Sequence, residues 1–384
     1  MDALSLLVRA VGDTPVHLLI LAFVTLLVTA FYTSPQIYAV LHLFAPKPRA
    51  VLSSEKTYKT TTPDGKVVTR QLPCWHDRWL AERHASENRA SQEGDGTLLP
   101  IPDTGSIEPA EIRLSVVIPA YNEEKRILPA LEDAVKIPPE QALTGYEIII
   151  VNDGSRDRTE EVVLDFARQH ELHDVLRLVT LERNRGKGGG VTHGLRHARG
   201  EFALFADADG ASKFSDLGKL IEGCEDVTDA GHRGVAIGSR GHLVGSEAVV
   251  KRSALRNFLM RGFHFILMIL TPPATSRLRD TQCGFKLFSR EALPHIVPYM
   301  HAEGWIFDIE MLMLAESAPA VSVLSSDGAV IGSSPGIKVA EVPIDWHEVD
   351  GSKLNVIQDS IRMAVGLAVL RASWMMGVYR RRLT

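Results

Sequence analysis

The chain has 384 residues, which is enough for one large α/β domain or two smaller ones, each with a full hydrophobic core. Its 42 Lys and Arg residues against 47 Asp and Glu residues give a formal net charge of −5, which argues against wholesale nucleic-acid binding. Three cysteines (Cys74, Cys224 and Cys283) lack the spacing of metal or redox motifs and indicate free thiols in a reducing compartment. We therefore expect any phosphate-binding site to be local and the body of the protein to face the cytosol.

A long apolar segment lies near the N-terminus. Residues 16–32 carry no charge, and extension to Ala39 reaches the length of about 20 residues that a helix needs to cross a bilayer. A cleaved signal peptide is the alternative, but the segment exceeds the usual ~7–15-residue apolar region and lacks a clear cleavage site. We predict a short N-terminal segment at 1–15 and a single transmembrane anchor at 16–39. Basic residues are more frequent after the anchor than before it, which predicts that the rest of the chain is cytosolic.

Residues 40–111 are predicted to be a linker with little structure of its own. Pro63-Asp64-Gly65 separates two β-rich runs and is typical of a hairpin turn. Residues 77–89 suit a short polar helix, whereas 94–106 are rich in Gly, Pro, Asp and Thr and predict a loop. The main domain is expected at 112–350.

Within the main domain, apolar β-rich runs alternate with helical stretches. Four runs are predicted as strands: Leu114–Ala120, Tyr146–Asn152, Leu176–Leu181 and Phe202–Ala206. This alternation predicts an α/β domain with a Rossmann-like, mostly parallel sheet and flanking helices. In sheets of this kind, ligands bind beyond the carboxyl ends of the strands.

Polar residues follow three of these four strands. They are Pro119, Ala120, Tyr121 and Glu123 after the first, Asp153-Gly154-Ser155 after the second, and Asp207-Ala208-Asp209 after the fourth. Taken singly, Asp153 could be a helix cap and Tyr121 a packing residue. Together, the three groups predict a binding site at one edge of the sheet.

Asp207 and Asp209 stand one residue apart at the end of an apolar strand. Two carboxylates this close repel each other unless a cation lies between them. Hard divalent ions such as Mg²⁺ or Mn²⁺ bind such oxygen ligands and complete their coordination with phosphate oxygens. We predict a divalent metal site at Asp207 and Asp209, with a solvated acidic turn as the alternative for this short motif alone.

A glycine-rich loop at residues 183–190 lies between the third and fourth strands. The Walker pattern fails because Gly188 follows Lys187 where Ser or Thr is required. Lys187 is nevertheless able to reach a phosphate at the start of the next helix. His193 and His197 share a face of that helix, but no Glu occupies the zinc-protease position, and we predict surface or packing roles for both.

Two later segments are both apolar and basic. They lie around residues 250–270 and at 351–384, where Arg362 and Arg371 interrupt the apolar run and three arginines follow it. Cations at this density disfavour a second membrane span. We predict helices lying in the membrane interface, with a buried helix as the alternative for the first segment.

The order and spacing of these motifs resemble the inverting GT-A-fold glycosyltransferases of family 2. The blocks that carry the resemblance run from Ser115 to Lys353: SVVIPAYNEEKRI, IIIVNDGSRDRT, NRGKGGGV, FADADGAS, GSRGH, RDTQCGFKLF, EGWIFDIE and VPIDWHEVDGSK. The Gln-x-x-Arg-Trp block of processive polysaccharide synthases is absent, so we do not expect a polymerase.

The resemblance implies transfer of glucose from UDP-glucose to dolichyl phosphate on the cytosolic face of the endoplasmic reticulum membrane. The lipid bilayer would therefore be a partner. The alternatives are another sugar transferred to a polyprenyl phosphate, or a membrane-anchored scaffold that binds a nucleotide sugar without activity.

The resemblance also implies roles for individual residues. The nucleotide sugar would contact Pro119, Ala120, Tyr121, Glu123, Asp153, Lys187, Asp207, Ala208 and Asp209. The catalytic residues would be Asp209, which with the metal serves the leaving group, and Arg240 and Arg256, which hold the acceptor phosphate unless they serve to attract lipid headgroups. The acceptor and sugar pocket would include Asp280, Gln282, Trp305, Asp308 and Lys353. Mannosyl relatives have a Gln just after the two aspartates, where this chain has Gly210-Ala211-Ser212, so the third metal ligand stays open.

Overall fold

The computed structural model describes residues 25, 34–92, 107–141, 144–243, 262, 266–325, 328–347, 349 and 356–379. The chain divides into two compact units, one of residues 1–45 with 368–384 and the other of residues 46–367. In the first unit, residues 34–44 form a helix, and the rings of Trp374 and Tyr379 lie 6.0 Å apart. The second unit contains the strands and the candidate site.

The bounds of the strands and helices are as follows. The strands are β1 (Thr57–Thr61), β2 (Val67–Gln71), β3 (Ile112–Ala120), β4 (Tyr146–Asn152), β5 (Leu176–Thr180), β6 (Gly200–Ala206), β7 (Val235–Ser239), β8 (Phe285–Ser289), β9 (Val321–Leu324), β10 (Val330–Ser334) and β11 (Val339–Pro343). The helices are α1 (Trp75–Gln92), α2 (Ile127–Ala134), α3 (Thr159–Gln169), α4 (Lys187–Leu195), α5 (Leu217–Asp226), α6 (Pro273–Arg277), α7 (Leu293–Ile296), α8 (Phe307–Glu316) and α9 (Val356–Met375).

Nine strands form one sheet in the order β11-β7-β8-β6-β3-β4-β5-β1-β2, and β9 pairs with β10 separately. The four strands predicted from the sequence, β6, β3, β4 and β5, are parallel neighbours, and β11 runs parallel to β7. In contrast, β8 runs antiparallel to both β6 and β7, and β1 runs antiparallel to both β5 and β2. The prediction of a mostly parallel sheet is therefore corrected to a mixed sheet, because β8 enters between two strands in the opposite direction and a hairpin extends the other edge.

The hairpin comes from the region predicted as a linker. Its turn lies at Pro63-Asp64-Gly65, where Gly65 adopts a φ of +79°. Lys59 of β1 pairs with Leu178 of β5, so the hairpin continues the main sheet. The polar helix predicted at 77–89 lies within α1.

The core lies on both faces of the central strands. Val116 and Val117 on β3, and Ile148 and Ile149 on β4, are fully buried, and such consecutive residues point to opposite faces of the sheet. Strands covered by helices on both faces need apolar side chains at consecutive positions, which explains the unbroken apolar runs in the sequence. This packing holds the carboxyl ends of β3, β4 and β6 at one rigid edge.

Within the described ranges, no helix is both long and apolar enough to cross a membrane. This finding overturns the predicted single-pass localisation. At about 1.5 Å per residue, the described helical residues 34–44 are too few to cross a ~30 Å hydrocarbon core. The longer α9 carries Asp359, Arg362 and Arg371. Most of the predicted anchor and of the interfacial segment lies outside the described residues, at 16–24, 26–33, 250–261 and 263–265.

Candidate active site

The loops that follow β3 and β4 are joined by backbone and side-chain hydrogen bonds. The Asp153 amide donates to the Ala120 carbonyl over 2.8 Å. The Asn122 amide donates to Ser155 Oγ over 2.9 Å, and Asn122 Oδ1 in turn accepts from the Arg156 amide over 2.8 Å. Asn122 needs a φ of +54° for this arrangement, which Asn tolerates better than most residues. Two of the three predicted strand-end groups therefore form one surface.

Glu123 lies at this surface and is almost fully buried. Its two carboxylate oxygens accept hydrogen bonds from Arg126, at 2.8 Å from Nε and 2.7 Å from Nη2. Its amide donates to Thr159 Oγ1 over 2.8 Å. Pro119 and Tyr121 are partly exposed, whereas Ala120 is buried. Glu123 thus holds Arg126 while its neighbours stay accessible.

Asp153 organises the glycine-rich loop. Its Oδ1 accepts from the Arg185 amide over 2.6 Å, and its Oδ2 accepts from the Gly186 amide over 2.9 Å. Burial raises the pKa of Asp153 to about 6, against the opposing effect of these two amides. Gly186 has a φ of +86°, and a side chain there would begin 2.6 Å from the Glu303 carbonyl. The loop therefore packs directly on the segment that leads to Trp305.

Lys187, Asp207 and Trp305 come together from three separate elements. Lys187 Nζ lies 2.6 Å from Asp207 Oδ1, 5.8 Å from the centre of the Trp305 ring and 5.3 Å from that of Phe205. Burial opposes the charge on Lys187, but Asp207, Asp308 and Asp209 together outweigh it and raise the pKa of the ammonium. Trp305 is 38% exposed, so its ring is open to a ligand.

Asp209 completes the acidic pair. Its Oδ1 accepts from the Ala211 amide over 3.1 Å. Burial, and next repulsion from Asp207, raise the pKa of Asp209. Across the described part of the chain, no group of three or more His, Cys, Asp or Glu side chains could hold a metal ion. The carboxylates of Asp207 and Asp209 are suitable ligands for a hard divalent ion. A bound substrate would have to supply the further oxygen ligands.

Arg240 and Asp280 form a fork at the end of β7. The Asp280 carboxylate accepts from Arg240 Nε at 2.6 Å, from Nη2 at 2.8 Å and from the Arg240 amide at 3.0 Å. Burial opposes the ionised carboxylate, yet these bonds hold the pKa of Asp280 below its usual value. Asp280 therefore contacts the predicted acceptor arginine, and Nη1 is the end of the guanidinium group that Asp280 leaves unused.

Asp308 is buried on α8, and its place in a sugar pocket stays a prediction. It is 3% exposed and forms an ion pair with Lys286, which is fully buried on β8. Lys286 Nζ also donates to the Cys283 carbonyl over 2.5 Å. Burial raises the pKa of Asp308, although Lys286 opposes this change. Gln282 is partly buried near Met363, at 3.8 Å from Nε2 to Sδ.

Two predicted site residues, Arg256 and Lys353, lie outside the described residues. Ala208, between the two aspartates, is 6% exposed. His193 and His197 are both buried, with ring centres 4.9 Å apart, and burial lowers the pKa of His197 to about 4. Both are packing residues, which is one of the two roles that the sequence predicted for them.

Comparison with known proteins identifies the family. Residues 115–296 match the family described as "Glycosyl transferase family 2". A dolichyl-phosphate beta-glucosyltransferase of Saccharomyces cerevisiae is 40% identical over 366 residues, which cover 93% of this chain and 94% of that protein. The chain belongs to glycosyltransferase family 2. Dolichyl-phosphate beta-glucosyltransferases from Dictyostelium discoideum and Homo sapiens are 40% and 38% identical, over 70% of this chain and 77% and 78% of theirs.

Among solved structures, the similarity to this chain is lower than among the relatives above. A glucosyl-3-phosphoglycerate synthase from Mycobacterium tuberculosis, in complex with uridine diphosphate, aligns with a TM-score of 0.46 and 18% identity over 68% of this chain and 80% of that chain. A complex of the same synthase with Mn²⁺, UDP-glucose and phosphoglyceric acid gives a TM-score of 0.45 and 19% identity over the same shares.

Trp346 lies beside the candidate site and was not among the residues predicted from the sequence. Its ring centre lies 5.3 Å from the Arg240 guanidinium carbon, and its backbone bridges to Ser212. The next residue, His347, donates its amide to the Ala211 carbonyl over 3.0 Å. Trp346 stands in the VPIDWHEVDGSK block, where an aromatic residue beside acidic ones was the available signal.

Proposed function

We propose that this protein transfers glucose from UDP-glucose to dolichyl phosphate with inversion at the sugar carbon, giving dolichyl β-D-glucosyl phosphate. The observation that carries the proposal is the meeting of Asp207, Asp209 and Lys187 at the carboxyl edge of β6. A pair of carboxylates faced by a lysine suits a metal-bound diphosphate. The names of the relatives, which this chain matches over most of its length, support glucose as the transferred sugar and dolichyl phosphate as the acceptor.

Uridine would bind where the loops after β3 and β4 meet. Pro119, Ala120 and Tyr121 would line the base and ribose, with Glu123 behind them. Asp153 would act mainly by holding the Arg185 and Gly186 amides, which shapes the loop that faces the nucleotide. Lys187, which begins α4, would donate to the diphosphate.

A divalent metal, Mg²⁺ or Mn²⁺, would be held by Asp207 and Asp209. When bound, it supplies positive charge that stabilises the departing diphosphate. Two side chains of the protein assist the metal. Lys187 adds a second positive charge beside the diphosphate, and Trp305 covers one side of the sugar position. The Ala211 amide orients Asp209 through its hydrogen bond to Oδ1.

The acceptor phosphate needs no general base. The second pKa of a phosphate monoester is about 6, so the group is largely a dianion near neutral pH. One of its oxygens forms a bond to the glucose C1 carbon while the bond from C1 to the UDP oxygen breaks. Arg240, with Arg256 and Lys353, would hold this phosphate in line. Asp280 and Asp308 are each engaged in an ion pair and are assigned no proton-transfer role.

A donor screen tests the proposal. Purified protein is incubated with dolichyl phosphate, Mg²⁺ or Mn²⁺, and either UDP-glucose, GDP-mannose or UDP-N-acetylglucosamine. We expect a glycolipid from UDP-glucose alone. A product only from GDP-mannose or UDP-N-acetylglucosamine would assign a different transferase. Absence of both product and metal-dependent UDP binding would favour the inactive scaffold.

Asp209→Asn is the sharpest variant for this test, because it keeps the shape of the side chain and removes its charge. We expect turnover to fall on the order of a hundredfold or more, with weaker metal dependence of UDP binding. Asp226→Asn, at an exposed position at the end of α5, is the matched control and should behave as the wild type.

A further inference from the structure

Glu341 collects hydrogen bonds from two neighbouring segments. It lies on β11, opposite Ile237 of β7. Its Oε1 accepts from Ser239 Oγ at 2.8 Å, from the Asp280 amide at 2.9 Å and from the Arg279 amide at 3.1 Å. All three donors are uncharged. Glu341 therefore acts here as a hydrogen-bond acceptor that ties the backbone at 279–280 to the end of β7.

The segment tied down by Glu341 is the one that holds Arg240. The Asp280 amide bonds Glu341, while the Asp280 carboxylate takes three hydrogen bonds from Arg240. A bidentate carboxylate fixes both the position and the plane of a guanidinium group. The direction of Arg240 Nη1 is thus set by Asp280, and the place of Asp280 is set by Glu341.

Arg240 itself faces the candidate site. Burial opposes its charge, but Asp280 raises the pKa of Arg240, with smaller effects from Cys283 and Asp207. Its guanidinium group lies against Trp346, whose backbone bridges to Ser212, three residues after Asp209. The line of contacts from Glu341 therefore ends beside the residues proposed to bind the metal.

The other end of the same loop supports Asp207. The Asp207 amide donates to the Gly284 carbonyl over 3.0 Å. The loop at 279–284 thus touches the proposed acceptor arginine at its start and a proposed metal ligand at its end. Glu341 bonds only the start of this loop, at Arg279 and Asp280, so its loss bears on Arg240, whereas the backbone bond between Asp207 and Gly284 at the other end is kept.

We infer that Glu341 is a positioning residue which, through Asp280, aims the free edge of Arg240 at the acceptor phosphate. This inference rests on the proposed function, since it assigns the phosphate monoester to Arg240. A residue acting in this way affects acceptor binding and leaves the nucleotide site, on β3, β4 and α4, unchanged. If Glu341 only held the edge strand β11 in place, its loss would instead lower the stability of the fold and weaken the binding of both substrates.

The experiment compares Glu341→Ala with Glu341→Gln. Alanine removes the acceptor oxygen, whereas glutamine keeps one carbonyl oxygen for the same three donors. With saturating UDP-glucose, we expect Glu341→Ala to raise the KM for a short-chain polyprenyl phosphate about tenfold, as for the loss of a hydrogen bond that positions a charged group. Glu341→Gln should stay within about twofold of the wild type by the same measure. The metal-dependent Kd for UDP should be unchanged in both.

Two further measurements keep the inference open to refutation. Asp280→Asn leaves the Glu341 contacts in place but loosens Arg240, so it should give the same acceptor defect, even where Glu341→Ala fails to fold. Calorimetric binding of the short-chain polyprenyl phosphate reports on Arg240 without turnover. Glu201→Ala, which removes an exposed glutamate of β6 that pairs with Arg113, is the control.

The outcomes separate the two proposals. The positioning role is wrong if Glu341→Ala weakens the binding of UDP and of the acceptor equally. It is also wrong if the KM and Kd for the acceptor are unchanged. In both cases the transferase proposal stands. If the wild type makes no glycolipid from UDP-glucose, the proposed function fails. In that case a selective loss of polyprenyl phosphate binding in Glu341→Ala still supports the positioning role, and an unchanged Kd overturns it.

Discussion

The carboxylate of Asp207 fills the space in which a side chain on Gly284 would begin. A Cβ atom built on Gly284 would overlap both oxygens and the carboxyl carbon of Asp207. The Asp207 amide also donates to the Gly284 carbonyl. Gly284 directly precedes β8, so this close approach couples the proposed metal ligand after β6 to the antiparallel strand beside it.

Gly284→Ala should therefore displace Asp207 without unfolding the sheet. We expect metal-dependent UDP binding to weaken on the order of tenfold or more, because a ligand misplaced by about 1 Å loses its geometry. Isothermal calorimetry with Mn²⁺ and UDP measures the effect, and circular dichroism checks the fold. Gly332→Ala, on β10, is the matched control, since a Cβ there meets nothing within 4 Å. Normal UDP binding by Gly284→Ala would show that Asp207 does not need this position.

Lys187→Gln should separate binding of the metal from binding of the nucleotide. In the presence of Mn²⁺, we expect UDP affinity to fall about tenfold or more, because the ammonium ion would contact the diphosphate. Mn²⁺ binding without nucleotide should be unchanged or tighter, since a cation 2.6 Å from Asp207 Oδ1 is removed. Electron paramagnetic resonance of free Mn²⁺ measures this. Lys219→Gln, on α5, is the control. Loss of Mn²⁺ binding in Lys187→Gln would contradict the assignment.

The Asp153 carboxyl should make stability depend on pH. Its pKa rises from 3.8 to about 6 on folding, so the folded protein binds more protons than the unfolded chain between these values. The stability contributed by the protonated form is present below the lower pKa and is lost as pH rises through the upper one. Relative to Asp153→Asn, the wild type should lose up to about 3 kcal/mol of unfolding free energy between about pH 4 and about pH 7. Urea denaturation of both proteins across this range gives the difference. A constant difference would mean that the pKa is not raised.

Asp308→Asn should destabilise the protein by about 3 kcal/mol, because it leaves the fully buried Lys286 ammonium without its counter-charge. The double variant Lys286→Met, Asp308→Leu should regain most of this loss, since two apolar side chains replace the pair. Urea denaturation of Lys286→Met, Asp308→Leu and the double variant gives the coupling energy of the pair. If Asp308→Asn is as stable as the wild type but inactive, and activity returns with added small bases, Asp308 would be a general base instead.

The local patterns of the sequence were sufficient for the central part of the fold. Continuous apolar runs predicted β3, β4, β5 and β6, because strands covered on both faces need apolar residues throughout. Polar residues directly after these runs predicted the site edge, because parallel strands present their carboxyl ends on the same side. Asp207 and Asp209 follow from these two rules, and Lys187 follows from the glycine-rich loop that precedes a helix. The structure brings Lys187 and Asp207 together.

The tertiary structure decided which distant groups meet. The antiparallel entry of β8, the pairing of Arg240 with Asp280, the burial of Lys286 with Asp308 and the approach of Trp346 to Arg240 join positions up to 106 residues apart. The local sequence does not predict such distant contacts, because the residues around a charged side chain look the same whether it faces a ligand or a buried counter-ion. Its role depends on the burial and the partner that packing provides.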